Sequence, residues 1–239
     1  MKKINLLIIV IVAVFAMSNL SAQDTKFMIS VGGGISMPMG NITKTDYADL
    51  SSGFAKTSGT MFSFDGAYKL NKSYGVGLHF SMMAYDINHA DILDSGAVDA
   101  YAVDEATVTT KGWAFMNILP YFYYSFVSTD KFSLDGRILL GYQSVTTPSI
   151  DILLEDHPNH LIQDASTGGG LAYGIGIAGR YDLFKNIGLR LGVDYIMSKP
   201  NVTITNEDIL NTFPTFRVMT KYNETIGMLN ATLAVTYSF

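Results

Sequence analysis

The chain has 239 residues, 15% of them charged, a net charge of −5 and no cysteine. That length suits one domain of barrel size, and soluble domains usually carry ~25% charged residues. The missing thiols exclude disulfide staples, a lipid-modified N-terminal cysteine and thiolate-built zinc or iron–sulfur sites. The acidic balance argues against nucleic-acid binding.

Residues 1–22 read as a secretory signal peptide. Lys2 and Lys3 supply a positive start, Ile4 to Met17 an apolar run, and Ser21 and Ala22 precede a cleavage point at Gln23. The run is too short to cross a bilayer as a helix, and no other stretch approaches the ~18 consecutive apolar residues that a helical span needs. Residues 23–239 are therefore expected to form one domain, two charges more negative than the whole chain.

Eight runs with period-two alternation follow in order, each placing alternate side chains on opposite faces. The first, Phe27 to Met37, sets Phe27, Ile29, Val31 and Ile35 against Ser30, Gly32, Gly34 and Ser36. The second, Thr60 to Leu70, opposes Phe62, Phe64 and Tyr68 to Ser63, Asp65 and Lys69. Asn71-Lys72-Ser73 turns into the third, Tyr74 to Asp86, where Val76, Leu78, Phe80 and Met82 oppose Gly75, Gly77, His79 and Ser81. The fourth, Trp113 to Phe126, is aromatic on both faces at Tyr121 to Tyr124. Pro120 cannot donate a ladder hydrogen bond, so a bulge is expected there. After Ser128 to Lys131 comes the fifth run, Phe132 to Tyr142, with Asp135 and Arg137 inward. The sixth and seventh, Leu171 to Leu183 and Gly188 to Met197, form a hairpin with one wholly apolar face. Their other face mixes glycine and alanine with Arg180, Asp182, Arg190 and Asp194. The eighth runs from Gly227 to Phe239.

Connections alternate in length. The turns after runs two, four and six are short; the segments after one, three, five and seven are long, roughly residues 38–59, 87–112, 143–170 and 198–226. Transmembrane strands need about 9–11 residues, and each run supplies them. A soluble barrel of the lipocalin type would turn its apolar parity inward around a ligand and charge its outside. Here mid-strand charge is confined to the parity that also carries the small residues, which suits a lumen, and the opposite parity suits lipid. The expected fold is an all-β, eight-stranded, antiparallel up-and-down transmembrane β-barrel. Four long, mobile extracellular loops would complete it, with both termini on the periplasmic side.

With its leader, eight runs and terminal aromatic, the chain resembles the small outer-membrane β-barrel proteins of Gram-negative bacteria, the OmpA, OmpX and OmpW kind of the porin superfamily. The last strand resembles the assembly signal read by the barrel-insertion machinery, through Thr232, Tyr237 and Phe239, with Ala234 where glycine is usual. The resemblance covers Phe27 to Phe239 and implies outer-membrane lipids and that machinery as partners. It carries no functional motif, since such barrels include adhesins, enzymes and narrow channels.

Candidate chemistry sits on lumen parity. Asp65, Lys69, Asp135, Arg137, Arg180, Asp182 and Arg190 lie near the periplasmic turns and Asp194 slightly deeper. An eight-stranded barrel is just wide enough for side chains to fill, so these charges must pair or cost several kcal/mol each. They read as a register-fixing salt-bridge plug or as an ion path. Three arginines and Lys69 balance four aspartates, which suits a plug better than a selective path. Removal of Arg180 is expected to strand a carboxylate. His79 and Ser81 are reminiscent of the His/Ser pair of outer-membrane lipid A deacylases, but both fall on lumen parity without a third orienting residue.

The loops are acidic. Asp86, Asp91, Asp94, Asp99, Asp104 and Glu105 stand against Lys111, and Asp151, Glu155, Asp156 and Asp164 accompany His157 and His160. None of this has the spacing of a calcium loop, and solvation is the simpler account. Asp-Ile-Leu recurs at residues 91–93, 151–153 and 208–210, either by chance or as apolar tips that pack into a lid or present a sticky extracellular surface. The glycine runs at 32–34 and 168–170 lack the strand–turn–helix setting of phosphate loops. The expected protein is a monomeric, non-enzymatic structural or surface-interaction barrel without a cofactor, with an extracellular ligand or partner at the loops. An alternative is an OmpW-like conduit for small hydrophobic molecules, lined by Met83, Tyr85, Leu139 and Ile196. A lipid-modifying enzyme is a third reading.

Overall fold

A computed structural model describes residues 26–46, 52–94, 106–154, 159–210 and 216–239, so the leader and part of each long connection lie outside the described residues. The strands in chain order are β1 (Phe27–Gly40), β2 (Gly59–Lys69), β3 (Tyr74–Tyr85), β4 (Ala106–Lys111), β5 (Trp113–Ser128), β6 (Phe132–Thr146) and β7 (Ser149–Leu154). They continue with β8 (Asn159–Asp164), β9 (Thr167–Asp182), β10 (Ile187–Ser198), β11 (Val202–Leu210), β12 (Phe216–Tyr222) and β13 (Ile226–Ser238).

The eight runs anticipated from alternation are β1, β2, β3, β5, β6, β9, β10 and β13, and they close into a barrel in that order, each antiparallel to the next. The seam between first and last is sealed at its end by backbone bonds, Phe27 N–H to Phe239 O at 3.0 Å and Phe239 N–H to Phe27 O at 2.9 Å. Closure leaves no sheet edge to face lipid, the condition for crossing a bilayer with strands. One parity is exposed and apolar along every barrel strand, as at Val31, Phe64, Leu78, Phe122, Ile138, Ile175, Leu191 and Val235. The opposite parity is buried.

Two expectations are corrected. Pro120 sits in regular register on the exposed face, and the bulge lies instead between Ser125 and Val127. A lipid-facing proline lacks only a donor, whereas near the periplasmic end the extra residue, Phe126, lays its ring over Gly136. Nor are the long connections simply mobile loops. Residues from three of them form a second, five-stranded antiparallel sheet in the order β12-β11-β8-β7-β4. β6 and β9 also run on to Thr146 and from Thr167, shortening the connection between them.

The first connection turns inward instead. Ile42, Phe54 and Ala55 are buried, Trp113 Nε1 donates to Gly53 O at 2.8 Å, and Ala55 bridges to Ile87. These residues join Met83, Tyr85, Phe115, Val145 and Met228 of the barrel wall and Ile152, Leu154, Val202 and Ile204 of the second sheet in one apolar core. Ile92, on a short helix α1 (His89–Asp94), belongs to the same core. Two of the three Asp-Ile-Leu isoleucines, Ile92 and Ile152, therefore belong to the same buried core. The side chains of residues 208–210 lie outside the described set.

Candidate functional site in the barrel lumen

Arg137, on β6, is the centre of the lumen. Its Nη1 donates to Asp65 Oδ1 on β2 at 2.6 Å, and its Nε donates to Asp194 Oδ1 on β10 at 2.6 Å. Its Nη2 donates to the second oxygen of Asp194, completing a two-toothed pair. Asp65 also accepts from His79 Nδ1 at 3.1 Å and faces Arg190 Nη1 at 3.3 Å. The guanidinium of Arg137 lies 5.2 Å from the centre of the Tyr121 ring, where the π face attracts a cation. The four charged members and His79 are each at most 5% exposed. Two carboxylates and two guanidiniums balance, so each buried charge has an opposite partner, without which the desolvation penalty would go unmet.

The barrel wall is thinned where these groups need room. A Cβ on Gly176, next to Arg137 in the ladder, would stand 1.9 Å from Asp194 Oδ1. A Cβ on Gly77 would stand 2.4 Å from the Tyr121 ring. Small residues on lumen parity are thus what lets large ones cross the lumen.

Of the eight charges singled out in the sequence, Asp65, Arg137, Arg190 and Asp194 are brought together. The other four are not. Arg180 pairs with Asp182 on its own strand at 3.3 Å, Asp135 accepts from Ser125 Oγ at 2.6 Å, and Lys69 is half-buried at the periplasmic mouth. Arg180 is therefore not the hub, because it lies close to the open end of the barrel, where water reaches its partner. His79 is a member that charge counting missed. Its signal was present, since a hairpin turning at Asn71 to Ser73 places Asp65 opposite His79.

Above the charges lies a polar layer. Gln143 Nε2 donates to Asn117 Oδ1 at 2.8 Å, Asn117 Nδ2 to Ser81 Oγ at 3.1 Å, and Ser198 Oγ to Gln143 Oε1. Ser36 on β1 bonds Asn230 and Tyr85. Ser81 thus serves Asn117 and His79 serves Asp65, both deep in the lumen, so the pair does not form a nucleophile and base. Beneath the charges, a cavity of about 10 Å³ bordered by Met28, Tyr123 and Arg190 has room for about one water. Above the polar layer stands the apolar core under the second sheet.

The residues proposed to line a conduit are packed. Leu139 and Ile196 are buried with Tyr121 and Tyr123 in a lower cluster, and Met83 and Tyr85 belong to the upper core. Of the loop residues, Asp86 pairs with Lys56 at 3.8 Å in an exposed setting. Asp99, Asp104, Glu105, Glu155, Asp156, His157 and the side chains of Asp94 and His160 lie outside the described set. The glycine runs lie inside β1 and β9, not in phosphate-binding turns. Of the terminal residues, Thr232 faces the lumen and reaches Gly192 O at 3.4 Å, while the Tyr237 and Phe239 rings lie 5.9 Å apart. Ala234 pairs with Gly32, whose missing side chain makes room for its methyl group.

No family model matches the chain, and no curated protein matches it. Solved structures do. A major outer membrane protein from Thermus thermophilus is similar over 91% of this chain and 100% of that one, at 11% identity and a TM-score of 0.52. The attachment invasion locus protein Ail of Yersinia pestis covers 91% of this chain and 100% of its own, at 12% identity and a TM-score of 0.47. The outer membrane protease OmpT from Escherichia coli covers 92% of this chain and 99% of its own, at 10% identity and a TM-score of 0.48. With a closed eight-stranded barrel, an apolar exterior and its likeness to the Thermus thermophilus protein, the chain has the fold of the outer-membrane β-barrels.

Proposed function

We propose that the protein is a non-enzymatic outer-membrane barrel whose lumen is sealed and whose role is structural or surface-interacting, exercised through its extracellular sheet. The observation that carries this reading is the three-storey lumen: balanced charges around Arg137, a hydrogen-bonded polar layer, and an apolar core continuous with the second sheet. A conduit needs a path for its cargo, and at each storey the lumen side chains are buried against one another in a barrel just wide enough for side chains to fill. A folded sheet outside the membrane presents a fixed surface, including exposed Leu153 and Met219, to whatever the cell meets. Residues 1–22 serve as the export signal, and Thr232, Tyr237 and Phe239 as the mark read during assembly.

Conductance of the refolded protein in planar bilayers is the test. The wild type is expected to be silent to small ions, and Arg137→Ala to pass more current than the wild type does. Steady ohmic current through the wild type would reject the sealed lumen and restore the conduit.

A further inference from the structure

The periplasmic rim has four corners: the start of β1 beside the end of β13, and the turns β2–β3, β5–β6 and β9–β10. Each corner carries one exposed lysine, Lys26, Lys72, Lys131 and Lys185 in turn, and half-buried Lys69 also ends β2 at the second. None of the four exposed lysines is ion-paired among the described residues. Asp130 is the one acid at the three turn tips. Each lysine stands next to outward apolar rings or chains: Phe27 at the first corner, Leu70 and Tyr74 at the second, Phe126 and Phe132 at the third, Tyr181 and Phe184 at the fourth. The opposite end of the molecule has the reverse sign, with Asp86, Asp91 and Asp151 among its acids.

We propose that this rim is a collar for anionic phospholipid headgroups of the inner leaflet. Aromatic rings settle at the membrane–water interface, and a lysine beside them lays its methylenes along apolar surface with its ammonium at phosphate level. The distribution selects the partner. Lys72, Lys131 and Lys185 stand on three separate turns, and where Lys26 does share a small hollow with Lys69 and Arg180, Asp135 already lines it. A protein partner docks on one side, whereas a basic ring around a barrel faces what surrounds it on every side, the bilayer. The collar rests on the transmembrane placement of the barrel and adds a lipid preference to it. It ties the depth and tilt of the barrel to the charge of the inner leaflet, since a juxtamembrane lysine gains about fivefold in association with anionic over neutral lipid.

The experiment is electron paramagnetic resonance of spin-labelled lipids around the full mature chain, refolded in vesicles of equal parts phosphatidylcholine and phosphatidylglycerol. Labelled phosphatidylglycerol should be immobilised several-fold more than labelled phosphatidylcholine, and the preference should fade as sodium chloride is raised. The K72Q/K131Q/K185Q variant should lose most of that preference while immobilising phosphatidylcholine as before. Heat-modifiable gel migration reports insertion separately, so a lost preference with the gel shift kept bears on the collar and not on the barrel. If the triple variant does not insert, each single variant should lose part of the preference. Equal immobilisation of the two lipids by the wild type, or an undiminished preference in an inserted triple variant, would overturn the collar. So would competition by glycerol phosphate beyond that of sodium chloride at equal ionic strength, since it would place a free-anion site at the rim.

Discussion

Arg137 and Asp65 meet across the lumen at 2.6 Å although 72 residues separate them in the chain. Asp65 and Asp194 both depend on Arg137, one on each side of it. Arg137→Ala should therefore leave two buried carboxylates short of a partner and destabilise the barrel by about 3–5 kcal/mol. Arg180→Ala should cost about 1 kcal/mol or less, because its pair with Asp182 lies at the wetter end of the lumen. Replacing Arg137 and Asp194 together by apolar residues should cost less than the two singles combined, since their effects share one interaction. Urea unfolding in vesicles measures all four variants. Equal losses for Arg137 and Arg180 would mean that the charges act as a diffuse set without a hub.

Much of this was legible from residue spacing. Alternation at Leu171 to Leu183 and across Gly188 to Met197 fixes which side chains face lipid and which face the lumen, because a strand has only two faces. It therefore located Arg190 and Asp194, as the same alternation in Thr60 to Leu70 and Phe132 to Tyr142 located Asp65 and Arg137. What alternation does not contain is azimuth and depth. Arg180 and Arg190 share a parity and even pair in the ladder, yet one ends at the mouth and the other beside Asp65. Gln143 was missed for another reason. It follows Tyr142, where the apolar alternation fades, although the β6–β9 pairing carries on to Thr146. The second sheet was hidden because β7 and β8 have only six residues each, with acids such as Asp151 and Asp164 among their apolar residues.

Gly176 offers a test of the wall. Its missing side chain is where the Asp194 carboxylate rests, and a methyl group would stand 1.9 Å from Oδ1. Gly176→Ala should push Asp194 off Arg137 and destabilise by about 1–3 kcal/mol, the range for overpacking a filled interior. Gly66→Ala is the comparison, because nothing lies within 4 Å of the added atom. Similar losses for the two would attribute the effect to strand propensity and not to the plug.

Phe239 closes the seam through both of its backbone bonds to Phe27, and the two rings stack at 5.7 Å. Deleting it removes the last two ladder bonds and the terminal interfacial aromatic together. Levels in the outer membrane should fall sharply. Barrels that do insert should still migrate differently before and after boiling, because the remaining β1–β13 pairing keeps the sheet closed. Normal levels of the deletion variant would show that assembly does not read this residue.

Ile152 tests whether the extracellular sheet and the barrel interior are one core. It lies on β7, outside the barrel, yet is 2% exposed and belongs to the cluster that includes Met83, Val145 and Met228 of the wall. If packing is continuous, Ile152→Ala leaves a cavity that cannot collapse without moving barrel strands, and global stability should fall by about 2–5 kcal/mol. Ile152→Asp would place a carboxylate in the apolar core and should release the sheet, opening the connections to added protease in intact vesicles. The Arg137 cluster lies below the polar layer, so the gel shift of Ile152→Asp should persist. Loss of both the shift and the sheet would join cap and plug into one cooperative unit. Protease resistance matching the wild type, with stability unchanged in Ile152→Ala, would reject the continuous core and leave the sheet an independent surface element.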